Sequence, residues 1–116
     1  MFGRNKNAGN KVKEIEERAE FNSVINNTKD KLVVIDFYAE WCGPCRQIKP
    51  KFKKMALEEF KDVFFAKIDV DELEELSEDE QITAMPTFVF YKNGQKLEKL
   101  VGANEVKLRE LILKYK

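Results

Sequence analysis

Cys42 and Cys45 are the whole thiol complement of this 116-residue chain, and they stand two residues apart in Trp41-Cys42-Gly43-Pro44-Cys45. Thiols at that spacing can be part of a metal site, a short structural disulfide, or a dithiol that trades electrons with other disulfides. A structural zinc site takes four cysteine or histidine ligands, and the sequence has two cysteines and no histidine, so no metal is expected. A structural disulfide closing so small a loop contributes roughly 2 kcal/mol in the chain-entropy account, against about 3 for a 15-residue loop. A redox dithiol explains the spacing best. Residues three apart share one face of a helix, so the Cys45 sulfur can meet that of Cys42 at the helix end.

That chemistry divides the labour. A free thiol, with its pKa near 8.5, is only about 3% thiolate at neutral pH, so the attacking sulfur must be activated. Residues 32–38 form a β-branched and aromatic run, and Ile48, Phe52, Met55 and Ala56 recur behind the motif at helical spacing. Cys42 thus sits where a strand hands over to a helix, and the unpaired N–H groups and dipole of the helix start favour a thiolate. Cys42 is the expected attacker, exposed, and Cys45 the shielded resolver that cleaves the resulting mixed disulfide. Gly43 permits close approach of a substrate backbone, and Pro44 pre-sets the first helical turn.

Asp36 is a lone carboxylate in Val33-Val34-Ile35-Asp36-Phe37-Tyr38. Either it faces solvent or pairs with a lysine, or it lies buried beneath the cysteines, where desolvation raises its pKa and lets it exchange a proton with Cys45. Lys67, on a neighbouring expected strand, is its candidate partner, or merely snorkels from a strand end. Met85-Pro86-Thr87 reads as a turn entering a strand. Trp41 is either core or a wall that shields the reactive sulfur.

Lys plus Arg and Asp plus Glu both number 21, so no global field attracts nucleic acid or an anionic membrane. The composition, 43% hydrophobic and 36% charged, is that of a globular domain, and no window approaches a membrane span. Two cysteines cannot staple a small secreted domain, so the expected setting is the cytoplasm. Residues 1–10 read as a flexible polar tail ahead of one domain at 11–116. The tail has Arg4 and Lys6 and no acid, which leaves an organellar transit remnant as the alternative.

Elements to position these residues follow from periodicity. Residues 12–15 are a short strand or a helix start, 17–26 a helix, and 31–38 a central strand apolar on both faces. A helix from Cys42 to about Phe60 carries Pro50 inside it, where a kink is expected. Residues 63–70 form a second buried strand, and 71–80 a solvated acidic helix or turn. Asn93-Gly94 joins strands at 87–91 and 97–101 as a hairpin. Asn104 can cap a last helix whose Val106, Leu108, Leu111, Ile112 and Tyr115 suit one buried stripe. Alternation followed by a hairpin predicts an α/β fold with a mixed sheet.

The ordered set of segments at 34–45, Met85-Pro86-Thr87, Lys92-Asn93-Gly94 and Val101-Gly102-Ala103-Asn104 resembles the thioredoxin family, over about residues 12–116. The resemblance implies a thioredoxin-like three-layer sandwich, with a mixed five-stranded sheet flanked by four helices. It makes Pro86 a cis-proline packed against the Cys42–Cys45 disulfide. It assigns Met85, Gly102 and Ala103, with Trp41 and Pro44, to an apolar surface that grips substrate chains, a segment of which would pair with the Met85 backbone as an added strand. It favours a buried Asp36 paired with Lys67. The implied activity is protein-disulfide reduction with no bound cofactor, the disulfide itself being the redox group. The implied partners are disulfide-containing proteins and a flavoprotein thioredoxin reductase drawing on NADPH, since this chain has no glycine-rich nucleotide motif. Nothing requires a dimer, and a monomer is expected.

Overall fold

The computed structural model describes residues 11–116; the tail expected at 1–10 lies outside the described residues. The elements are β1 (Lys13–Glu14), α1 (Arg18–Asn27), β2 (Val33–Tyr38), α2 (Gly43–Lys54) with a π-helical turn at Met55–Glu59, β3 (Phe64–Asp69), α3 (Glu74–Asp79), β4 (Thr87–Lys92), β5 (Gln95–Val101) and α4 (Glu105–Tyr115). The sheet order is β1-β3-β2-β4-β5, with β2 at the centre. β3 runs parallel to both β1 and β2, whereas β4 is antiparallel to β2 and to β5. The expected three layers with a mixed five-stranded sheet and four helices are present.

Alternation along β2 explains the layers. Val34 shares a core with Ile48 and Phe52 of α2 and Leu108 and Ile112 of α4. Val33, Ile35 and Phe37 point the other way, into a second core with Phe21 and Val24 of α1 and Leu76 of α3. Both faces of β2 are therefore covered, which is why its sequence is apolar almost throughout. Asp36 is the exception, and its parity puts it on the α2 side.

The Asn93-Gly94 turn has φ of 53° and 82°, the left-handed pair that a two-residue hairpin requires. A Cβ on Gly94 would lie 2.9 Å from Asn26 Oδ1, a side-chain end free to shift, so it is the conformation that calls for glycine. Asn104 caps α4, its Oδ1 accepting from Lys107 N at 3.0 Å.

One expectation is corrected. Val106 is 68% exposed and lies outside the buried face of α4, which consists of Leu108, Leu111 and Ile112. Val106 is two residues before Leu108, which places it about 160° away from it on a helix of 3.6 residues per turn. As expected, the long helix continues past Pro50 rather than stopping there, and at its end Phe60 N donates to Met55 O at 2.8 Å in the wider π pattern.

Phe52, 2% exposed, anchors the larger core, its ring 5.1 Å from that of Phe65 and 5.4 Å from that of Phe88. Phe52→Ala should cost about 3–5 kcal/mol in urea unfolding with an unchanged slope. A loss under about 1 kcal/mol would contradict this account of the core.

Candidate active site

The turn from β2 into α2 presents the two sulfurs. Cys42 is the N-cap of α2, in extended conformation, with Gly43, Pro44 and Cys45 forming the first turn. Pro44 can occupy that turn because its missing N–H would have had no helical partner. The N–H of Cys45 donates to Cys42 Sγ at 3.1 Å, as a serine cap would be addressed. The two sulfurs are bonded, with the Cα atoms 5.2 Å apart.

The contrast expected between an exposed and a shielded cysteine is absent: Cys42 is 5% exposed and Cys45 4%. Packing with Ala39 and against Tyr38, Val70 and Met85 covers both in the disulfide form. What differs is the side each faces. Cys42 Sγ lies 3.6 Å from Met85 O, a contact that becomes a hydrogen bond only when the thiol carries its proton. Cys45 lines a cleft of about 30 Å³ that it shares with Asp36, large enough for a bridging water.

The Met85–Pro86 peptide is cis, and Pro86 is buried. Pro86 O accepts from Gly102 N at 2.8 Å, which ties the start of β4 to the residue after β5. Gly102 has φ of 103°, a conformation that disfavours any side chain, while a Cβ at Gly43 would meet nothing within 4 Å. Gly43 therefore borders open space. Trp41 is 66% exposed, which removes the core reading, and its indole N–H donates to Asp71 Oδ2 at 2.9 Å. Pro44 and Ala103 are exposed and Met85 is half-buried. Trp41, Gly43 and Pro44 adjoin the disulfide in sequence, Met85 packs against it, and Gly102 is tied to this end through Pro86 O; Val101, beside Gly102 in the chain, is 59% exposed.

Asp36 is buried, and its Oδ1 has no hydrogen-bond partner among the described residues. Burial pushes its pKa from 3.8 to about 7; Lys67 opposes the rise and Glu14 adds to it. The expected ion pair with Lys67 is replaced by another. Asp36 and Lys67 are register partners across β2 and β3, yet the Lys67 ammonium lies 3.5 Å from Glu14 Oε1 of β1. The Tyr38 hydroxyl also donates to Glu14, at 3.1 Å, and Lys67 sits 5.5 Å from the centre of the Tyr38 ring. Burial raises the Glu14 pKa, against the pull of Lys67 and Tyr38.

Glu14, Tyr38 and Asp71 were not singled out by sequence reasoning. Glu14 belongs to a two-residue strand too short for a periodic signal, and Asp71 reads as one more acid in an acidic stretch. No cluster of three or more His, Cys, Asp or Glu side chains suited to a metal ion occurs among the described residues.

The Thioredoxin family model matches residues 11–114. The chain belongs to the thioredoxin family. It is 54% identical over 103 residues to the thioredoxin of Geodia cydonium, covering 88% of this chain and 96% of that protein. It is 46% identical over 101 residues to thioredoxin-1 of Schizosaccharomyces pombe, covering 87% and 95%. Among solved structures, Fasciola hepatica thioredoxin superposes with a TM-score of 0.87 at 47% identity, over 90% of this chain and all of that one. With its bonded Cys42–Cys45 pair, this member of the family is a thiol-disulfide oxidoreductase of the protein-disulfide reductase type, and its substrates are disulfide-containing proteins.

Asp36 makes stability depend on pH. Its folded pKa lies above its unfolded one, so the folded protein holds the proton more tightly, and stability falls as pH rises from about 4 to about 7. Asp36→Asn should therefore stabilise the protein at pH 8, by at most roughly 4 kcal/mol, and the gain should shrink below pH 4. Thermal unfolding across that range checks this; a variant no more stable than the parent at pH 8 would contradict the burial argument.

Proposed function

We propose that the chain reduces protein disulfides by a two-step exchange in which Cys42 attacks and Cys45 resolves. The observation that carries this reading is the placement of Cys42 at the N-cap of α2, with the Cys45 N–H 3.1 Å from its sulfur. In the reduced protein the same N–H and the helix dipole favour the Cys42 thiolate. That thiolate attacks one sulfur of the substrate disulfide, forming a mixed disulfide and releasing the other substrate sulfur as a thiolate. Cys45 then loses its proton and attacks Cys42 Sγ. The Cys42–Cys45 bond forms, the mixed disulfide breaks, and the second substrate sulfur leaves, so two electrons have passed to the substrate.

Asp36 is the proton acceptor for Cys45 in this reading. The two line one cleft, and a carboxyl that titrates near neutrality is matched to the task. Cys45 does not cap the helix, so its sulfur lacks the backbone N–H that addresses Cys42 and needs a base. The rim of Trp41, Gly43, Pro44, Met85, Pro86, Gly102 and Ala103 supplies the docking surface: apolar around the disulfide, with open space over Gly43 for a substrate backbone. An extended substrate segment pairs with the Met85 backbone, just ahead of β4, as an added strand.

The oxidised form returns to the dithiol through an NADPH-dependent thioredoxin reductase, as befits a relative of proteins named thioredoxin. The protein works as a monomer in the cytoplasm, with Cys42–Cys45 as its redox group.

Cys45→Ser should leave the attack intact and trap partner proteins as mixed disulfides on Cys42, seen as adducts that a reductant releases; a variant that traps none would reverse the assignment. In stopped-flow measurements, Asp36→Asn should slow resolution at least about tenfold more than attack at pH 7. Equal effects on both steps would remove its role as base.

A further inference from the structure

Glu14, Lys67 and Asp36 occupy one row across three neighbouring strands. Glu14 of β1 is in register with Lys67 of β3, which is in register with Asp36 of β2. Register partners project from the same face of a sheet, so the ammonium of the middle residue lies between two carboxylates and has a choice of partner. The structure records the choice. The ammonium is 3.5 Å from Glu14 Oε1, and Asp36 Oδ1 has no hydrogen-bond partner among the described residues. The choice is reinforced by Tyr38, two residues beyond Asp36 on the same face of β2. Its hydroxyl donates to both oxygens of Glu14, at 3.1 and 3.2 Å, while its ring lies under the Lys67 ammonium.

We propose that Glu14 is a positioning residue: by holding the Lys67 ammonium at the outer end of the row, it keeps that cation off Asp36 and so sets the charge state of the buried carboxyl beside Cys45.

The physical argument is a competition. Asp36 carries the full desolvation penalty for ionising, and the cheapest relief would be a direct ion pair with the lysine at its side. Glu14 is less buried, so its own ionised form costs less. Together with the Tyr38 ring it offers the ammonium a carboxylate oxygen and a π face, where Asp36 offers a carboxylate alone. Removing the Glu14 charge releases Lys67 toward Asp36 and also removes a negative charge that disfavours ionisation there. Both effects have the same sign.

Other charged or titratable groups face the Asp36 clefts. Tyr38 and Glu40 do so from β2 and the loop after it, Arg46, Lys49 and Lys53 from α2, and Lys11 from the segment before β1. The charges that act on Asp36 are Lys67 and Glu14, and Lys67 is the larger influence. The α2 cations are exposed, so solvent screens them. Lys67 is the only one of these cations on a strand adjoining β2.

The inference deepens the reading of Asp36 as the base for Cys45, and its test does not depend on that reading. The probe is the carboxyl ¹³C shift of Asp36 in the oxidised protein, labelled at aspartate and assigned with Asp36→Asn, followed against pH. Glu14→Gln should move the Asp36 midpoint to lower pH, raising its ratio of ionised to protonated form at pH 7 by about threefold or more. Lys67→Met should move the midpoint upward. In the Lys67→Met background, Glu14→Gln should lose at least about half of its effect, because its main route runs through the lysine. Tyr38→Phe, which removes the hydroxyl that orients Glu14, should also lower the midpoint and serves if Glu14→Gln folds poorly.

A midpoint that Glu14→Gln leaves unchanged or raises would overturn the proposal. So would an equal shift with and without Lys67, since Glu14 would then act only as a distant charge. Failure of the base role would instead show in the resolution kinetics of Asp36→Asn, with these titrations unaltered.

Discussion

A carboxylate placed in a protein interior without a partner is held there against a desolvation penalty, and the active end of this molecule is arranged around one. Asp36 interrupts the most apolar strand of the sheet, on the face covered by α2, and lines a cleft with Cys45. Because it is buried and Lys67 is engaged elsewhere, its charge is poised near neutrality. The three-layer architecture makes this possible. A central strand covered on both faces withdraws the carboxyl from water, and the parallel neighbours supply the charges that tune it.

In the proposed exchange the two cysteines receive different help from the same fold. Cys42 would be activated by the helix it caps, through the Cys45 N–H and the dipole behind it. Cys45 would depend on the carboxyl of the sheet beneath, with which it shares a cleft. One sulfur would thus be served by backbone and the other by a side chain. The third contribution comes from chain far away in sequence: the cis peptide at Met85–Pro86 brings Met85 O against Cys42, and Gly102 closes the rim through Pro86 O. Strand order requires this meeting, because β4 lies directly beside β2.

What the sequence made legible was local. The strand-to-helix handover at Cys42, the Asn93-Gly94 turn and the Asn104 cap each depend on a few adjacent residues whose chemistry has few outcomes. The apolar run through β2 marked it as central. Features that depend on packing between distant segments were not readable in the same way. Lys67 was expected on Asp36 from its place on a neighbouring strand and from the family resemblance; residues 12–15 are too few for periodicity to decide between strand and helix, so the competing Glu14 could not be placed beside it. Cys42 was expected to be exposed, and the cover given by Met85 and Val70 comes from chain well downstream. Val106 shows the limit of reading apolar type as burial, since its angular position on the helix and not its hydrophobicity put it in solvent. Family resemblance supplied the cis-proline and the rim, which spacing alone would have left as a turn.

The central claim is that the buried carboxyl and the sulfurs form one electrostatic unit. Titration of the Asp36 carboxyl in the parent protein, compared between its disulfide and dithiol forms, tests this most directly. The account predicts a midpoint near neutrality in the disulfide form, and a higher one when reduction puts a thiolate on Cys42. A carboxyl that titrates close to 3.8, and alike in both forms, would contradict it.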